Sequence, residues 1–202
     1  MPYIYIVFSS TPNRIGRMVR RVTGEVYNHA SIALDEDLGR MYGFARRFYR
    51  MPLYGGFVRE SLSRYHQNGQ AARICVCRLP VTEEQYEALE KQFSSMYENR
   101  QHYLYNHLSA MGAVIRRRVY ARDAYTCIEF CVQILHSLGV EVDPRKYYSI
   151  CDIERMLCSY CIYTGPVPAG NYDAEFYQNT PVTFPILRTL RDIFKLLPRL
   201  GT

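Results

Sequence analysis

The sequence lacks the features that mark membrane-spanning and secreted proteins. It contains no run of 18 apolar residues, so it predicts no transmembrane helix. Its first ten residues, MPYIYIVFSS, have neither the basic start nor the small-residue cleavage site of a signal peptide. The seven cysteines are an odd number, and without a secretory signal they are expected to be reduced thiols. We therefore expect a cytoplasmic protein.

Motifs for nucleotide, serine-hydrolase and metal chemistry are also missing. There is no P-loop, no G-x-G-x-x-G and no G-x-S-x-G elbow. Cys158-x-x-Cys161, with Cys151 nearby, offers at most three soft ligands, whereas structural zinc takes four. The net charge of +6 is modest and the arginines are scattered, which permits an anionic partner without pointing to nucleic acid. We expect no cofactor, no metal and no nucleic-acid partner.

The length of 202 residues and the hydrophobic content of 48% suit one main domain, which we place at residues 1–182. Residues 183–202 form a separate C-terminal segment with the pattern of an amphipathic basic helix. Its apolar residues fall on one side, and Arg188, Arg191 and Lys195 fall on the other. Such a helix can lie on an anionic membrane surface, but it is more commonly a terminal helix packed on its own domain or on a partner.

Three segments in the first quarter of the chain have strand patterns. Tyr3–Phe8 is apolar on both faces, as in a central strand. Tyr27–Leu34 alternates, which places His29, Ser31 and Ala33 on one face, and Met41–Arg46 follows after a turn as its partner strand. Residues 50–70 look irregular and predict a loop that serves as a lid or a substrate wall.

The stretch from Tyr125 to Gly139 predicts a helix with a cysteine in its first turn. Thr126 and Glu129 form a capping box, which makes Cys127 the first helical residue. The unpaired N–H groups and the dipole at a helix N-terminus favour a thiolate, the nucleophilic form of cysteine. The helix pattern alone fits a small core residue better, since most buried cysteines are structural.

A base close to Cys127 would favour a catalytic over a structural role for this cysteine. His29, at the start of its strand, is the candidate base. Imidazole takes the proton of a thiol and returns it to the leaving group, while the backbone N–H of Cys127 is a natural oxyanion donor. A histidine in a strand is more often structural, and the sequence separation does not show whether His29 and Cys127 meet.

Three short motifs resemble one family of cysteine hydrolases. Tyr27–Leu34 is similar to the "sHvgi" strand of the circularly permuted NlpC/P60 hydrolases, the branch that includes the YiiX/YebB-like proteins and, more distantly, the lecithin:retinol acyltransferase group. Tyr125–Cys131 resembles the "yyCSEfv" nucleophile helix of that family, and Tyr103–Asn106 resembles its "pYd" segment. The order, histidine before cysteine, is that of the permuted branch.

The resemblance implies an α+β, papain-like fold in which the nucleophile helix packs on a small antiparallel sheet. It implies cysteine-dependent hydrolysis or transfer at an amide or ester bond of a small peptide or acylated substrate. Cys127 would be the nucleophile and His29 the base. Tyr105 would line the pocket or help to bind the oxyanion.

The sequence departs from the family pattern at the third catalytic residue. That residue, often Glu, lies on the strand after the histidine and orients the imidazole. Here that strand, Met41–Arg46, has Phe44 near the expected place and offers no carboxylate or amide. Tyr42, Ser31 or a backbone carbonyl could substitute. Loss of the orienting group would weaken the base, so an alternative is an inactive relative that binds a peptide or acyl ligand in the same cleft.

Overall fold

The structure is a computed structural model that describes residues 1–11, 14–48, 54–67, 70–168 and 185–201. Within these ranges it has an α+β fold with one eight-stranded sheet and one short hairpin. The strands are β1 (Tyr3–Ser9), β2 (His29–Ala33), β3 (Met41–Arg46), β4 (Gly55–Glu60), β5 (His66–Gln67), β6 (Gln70–Ala71), β7 (Arg73–Pro80), β8 (Leu104–Tyr105), β9 (Ala124–Tyr125) and β10 (Cys161–Pro166). The helices are α1 (Arg14–Thr23), α2 (Glu83–Glu98), α3 (His107–Gly112), α4 (Cys127–Ser137), α5 (Ile150–Met156) and α6 (Pro185–Leu196).

The sheet order is β10-β7-β1-β2-β3-β4-β8-β9, and β5 pairs with β6 separately. The three strands expected in the first quarter of the chain are confirmed as β1, β2 and β3. β1 lies inside the sheet between β2 and β7, antiparallel to both. Its two faces are covered by separate core clusters, since Ile4, Ile6 and Phe8 belong to one and Tyr5 and Val7 to the other. The sheet is larger than the small antiparallel sheet expected, and its β8–β9 pair is parallel.

The prediction that residues 50–70 form an irregular loop is wrong for most of the described part of that range. Residues 55–60 form β4, which pairs with β3 along its whole length, and a 3₁₀ helix follows at Leu62–Tyr65. The Gly55–Gly56 pair concealed this strand. A Cβ at Gly55 would lie 2.9 Å from the Cβ of Tyr105, so a glycine there lets β4 approach β8 closely. Residues 50–53, 68 and 69 lie outside the described residues.

Helix α4 packs against the sheet as predicted, through an aromatic core. The Phe130 ring lies 5.3 Å from the Phe44 ring and 5.5 Å from the Phe57 ring. The capping box at Thr126 is confirmed, and the helix is followed by Gly139 in the left-handed region at φ +85°. The residues that sequence pattern placed at the two ends of this helix therefore fix its position on the sheet.

The C-terminal segment is only partly packed on the domain. Leu196 at the end of α6 is fully buried against Leu104, Ala121 and Ala124. Four apolar side chains of this segment are exposed, namely Leu187, Leu190, Phe194 and Leu197. The boundary proposed between residues 182 and 183 lies outside the described residues. Among the residues described, no helix is long and apolar enough to cross a membrane.

Candidate active site

The fold brings His29 and Cys127 together from opposite halves of the chain. His29 is the first residue of β2, and Cys127 is the first residue of α4. The sulfur of Cys127 lies close enough to the imidazole to raise the pKa of His29. Both are largely withdrawn from solvent, with the residue Cys127 7% exposed and the His29 side chain 11% exposed. The pairing expected from the sequence is therefore sterically in place.

The N-terminus of α4 is held in position by the carboxylate of Glu129. This carboxylate accepts a hydrogen bond from the backbone N–H of Thr126 at 2.8 Å, which closes the capping box. It also accepts hydrogen bonds from Ser109 of α3 and from Arg118 Nε, the latter at 3.1 Å. Besides the N-cap itself, two other segments thus hold the helix end that carries Cys127, and the first-turn N–H groups of this helix have no intrahelical acceptors.

A carboxylate that the sequence analysis missed binds His29. Glu60, the last residue of β4, places Oε1 2.9 Å and Oε2 3.1 Å from His29 Nε2. Its side chain has no exposed surface. Since Nε2 faces this carboxylate, Nδ1 is the imidazole nitrogen available to the Cys127 thiol. The expectation that His29 lacks an orienting carboxylate is wrong, because the carboxylate lies one strand beyond the strand we searched.

The space for this carboxylate is provided by a glycine on the intervening strand. A Cβ at Gly43 of β3 would lie 2.6 Å from Glu60 Oε1. The register places Glu60 opposite Met41, which lies two residues before Gly43 on β3. Glu60 and Gly43 therefore face the same side of the sheet. The sequence does contain a signal for this site. It is a strand pattern at residues 55–60 that ends in an acid and lies next to a strand containing a glycine.

Further polar groups satisfy the buried carboxylate. Ser31 Oγ donates to Glu60 Oε1 at 2.9 Å, and Tyr65 Oη donates to Oε2 at 3.1 Å. Arg64 Nη1 lies 3.4 Å from Oε2. A buried charge needs this kind of complete pairing to be tolerated.

The charges of His29 and Glu60 depend on each other. Burial opposes protonation of His29, but attraction to Glu60 and hydrogen bonds with Cys127 and Glu60 raise its pKa from 6.5 to about 10. Burial likewise opposes ionisation of Glu60, but the charges of His29 and Arg64 lower its pKa to about 2. At neutral pH, therefore, His29 is held as an imidazolium ion beside the ionised carboxylate of Glu60.

The other residues predicted for the site have separate positions. Ser31 lies 3.1 Å from His29 Nε2 and belongs to the Glu60 network. Tyr42 packs in the aromatic core, with its ring 5.9 Å from the Phe57 ring. The orienting role that the sequence suggested for Tyr42 is filled by Glu60. Tyr105 lines a cavity next to Cys127, and burial raises the pKa of its hydroxyl.

The cavity next to Cys127 has a volume of about 150 Å³. Its wall includes the apolar residues Ala110 of α3, Ile128 and Val132 of α4 and Ile150 of α5. It also includes charged residues, namely Glu25, Arg118, Glu129 and Lys146. Such a pocket beside a nucleophile suits the apolar part of a substrate, with Cys127 at its edge.

No protein-family model, curated protein or solved structure matches this chain. The functional assignment therefore depends on the geometry of the site.

Proposed function

We propose that the protein is a cysteine-dependent hydrolase or acyltransferase that acts on an amide or ester bond. The observation that carries the proposal is the Cys127–His29–Glu60 arrangement, in which one imidazole is hydrogen-bonded to a buried carboxylate and lies near the cysteine at a helix N-terminus. A nucleophile, a base hydrogen-bonded to it and a third group that orients the base are the components of a catalytic triad.

In the proposed reaction, the sulfur of Cys127 attacks the carbonyl carbon of the substrate. This sulfur lies at the N-terminus of α4, near the protonated imidazole of His29. The backbone N–H of Cys127 donates to the oxyanion. When the carbon–nitrogen or carbon–oxygen bond breaks, His29 gives its proton to the leaving group, which leaves a thioester on Cys127.

The thioester is resolved by water or by another nucleophile. His29, now neutral, removes a proton from that nucleophile as it attacks, and the sulfur departs as the thiolate. Glu60 holds Nε2 through this cycle, so that Nδ1 stays directed towards the sulfur and the substrate. Glu60 is thus a positioning residue that acts through His29.

The proposed fold is the papain-like arrangement of the permuted NlpC/P60 hydrolases. It is supported by the strand–helix order of His29 and Cys127 and by the packing of α4 on β2 and β3. The alternative of an inactive binding relative rested on a missing orienting carboxylate, and Glu60 removes that reason.

The proposal is tested by acylation with p-nitrophenyl acetate, which needs no knowledge of the natural substrate. We expect a burst of p-nitrophenolate and an acetyl group on Cys127, located by peptide mass mapping. Cys127→Ala should abolish the burst, and His29→Gln should slow it strongly. Cys158→Ser is the matched control, because Cys158 is exposed and lies outside the site.

If the acetyl group is spread over the exposed cysteines, or if His29→Gln acylates at the wild-type rate, the proposed mechanism is wrong. Normal folding of Cys127→Ala and His29→Gln, checked by circular dichroism, is required for either result to count.

A further inference from the structure

A second cavity, remote from Cys127, is lined by an unusual concentration of positive charge. It has a volume of about 580 Å³, within the range of small-molecule sites. Among the described residues, its wall contains a single acid, Asp192. Its cationic residues are Arg46, Arg47, Arg59, Arg64, Arg100, Arg191 and Lys195. They come from the ends of β3, β4 and α2, from the 3₁₀ helix Leu62–Tyr65 and from α6, so the tertiary structure assembles the cluster.

Several of these arginines are held by groups that carry no charge. Arg47 Nη2 donates to the backbone carbonyls of Arg100 and Tyr103. Arg59 Nη2 donates to the carbonyl of Gly39 at 3.1 Å, and Arg100 Nη1 donates to that of Tyr97 at 3.0 Å. Such partners orient a guanidinium but leave its positive charge in place.

One donor in the cavity wall has no acceptor. The Nε of Arg47 is buried and lacks a hydrogen-bond partner within the described part of the chain. A buried polar group without a partner costs free energy, but this atom has no exposed surface that a molecule in the cavity could contact. What the cavity offers a ligand is therefore a wall of cationic side chains that contains one acid among the described residues.

The two carboxylates near the cluster neutralise only part of it. Asp192 lies 3.7 Å from Arg191 and 4.0 Å from Lys195. Glu60 lies 3.4 Å from Arg64 and is itself engaged by His29. An occupant with several negative charges would be attracted by the cationic side chains that line the cavity.

We propose that this cavity binds a small anion that carries several phosphate groups. Guanidinium groups bind phosphate oxygens bidentately, and several of them converging on one cavity fit several phosphates better than one. This proposal does not depend on the chemistry at Cys127, and each could fail without the other.

Two sources supply this chemistry. One is a soluble organic phosphate, and the other is the headgroup of a phosphorylated lipid. Arg191 and Lys195 belong to α6, the helix that also exposes Leu187 and Phe194, with exposures of 61% and 65%. A headgroup in the cavity would place this apolar surface against the acyl chains.

The first experiment is calorimetric titration of the full chain with inositol hexakisphosphate. We expect binding that weakens as salt is added. Arg100→Gln and Arg191→Gln should each weaken it about tenfold, the loss of one charge-assisted contact. The matched control is Arg145→Gln, which removes an equal charge from an exposed side chain outside the cavity and should leave affinity unchanged.

The second experiment is flotation with phosphatidylcholine vesicles that contain phosphatidylinositol bisphosphate. If Phe194→Ser and Arg191→Gln both abolish flotation, the phosphate belongs to a lipid. If both leave flotation unchanged or none occurs, while the soluble phosphate binds, the ligand is a free anion. The proposal is overturned if neither probe binds, or if Arg145→Gln weakens binding as much as Arg100→Gln does.

Discussion

Replacing Glu60 with Gln isolates the charge of the buried carboxylate while keeping its shape. The carboxylate is fully buried, lies 2.9 Å from His29 Nε2 and accepts from Ser31 and Tyr65. The amide preserves much of the volume and some of the hydrogen bonding. What it removes is the attraction that stabilises the imidazolium in a buried site.

The expected magnitude follows from the pKa of His29. The difference between 6.5 and about 10 corresponds to about 5 kcal/mol of preference for the protonated form, at about 1.36 kcal/mol for each tenfold change. Without Glu60, burial still disfavours the charge and only the contact with Cys127 opposes it. We therefore expect the pKa of His29 to fall by several units, to its ordinary value or below it.

The same substitution has a pH-dependent effect on stability. The raised pKa of His29 stabilises the fold fully below pH 6.5, and this is lost as pH rises through about 10. The lowered pKa of Glu60 stabilises it fully above pH 4.5, and this is lost as pH falls through about 2. The difference in unfolding free energy between wild type and Glu60→Gln should be largest between pH 4.5 and 6.5, at about 3–5 kcal/mol.

The assay is an NMR titration of the imidazole resonances, with the signal of His29 assigned from a His29→Gln spectrum among the five histidines. Urea denaturation across the same pH range measures the stability. If His29 titrates near pH 6.5 in the wild type, or is unchanged in Glu60→Gln, then the carboxylate does not hold the proton and the reasoning fails.

Two other changes test separate parts of the structure. Gly43→Ala would place a Cβ 2.6 Å from Glu60 Oε1, so it should displace the carboxylate, lower the pKa of His29 and slow acylation; wild-type values on both measurements would contradict the packing described here. Hydrogen peroxide should join Cys75 to Cys161, because their sulfur atoms lie 3.6 Å apart and a hydrogen bond with Cys77 lowers the pKa of Cys75. Oxidation of the exposed Cys161 to a sulfenic acid and attack by the Cys75 thiolate would release water and form the disulfide. Non-reducing peptide mapping detects it, and a Cys158–Cys161 product instead would show that sequence proximity decides the pairing.

The local signals in the sequence were enough to predict α4 and the strands that lie before the site. A capping box spans four residues, and Thr126 and Glu129 satisfy it with side chains next to the N–H groups they bind. Alternation likewise depends only on neighbours, which is why β2 and His29 at its start were located. The elements predicted from such short-range patterns are present in the fold because the tertiary contacts of these segments stabilise the same local structure.

Glu60 was missed because its position depends on pairing between strands. Its strand contains two glycines that weaken the local pattern, although contact with β8 is what requires a small residue there. The family pattern places the orienting group on the strand after His29. Here the carboxylate lies on the next strand and extends past Gly43 to the imidazole of His29. Sheet register, rather than chain order, decided which acid faces the imidazole.

The sequence by itself determined a thiol at a capped helix start, a histidine at a strand start and their order along the chain. Only the tertiary structure decided that the two residues meet, that Glu60 is buried beside them and that seven cations surround one cavity. The physical reason is the separation along the chain between the residues that each interaction joins. Capping and alternation act between residues a few positions apart, whereas charge pairing in a buried site acts between residues that only the packed sheet and helices bring within a few ångströms.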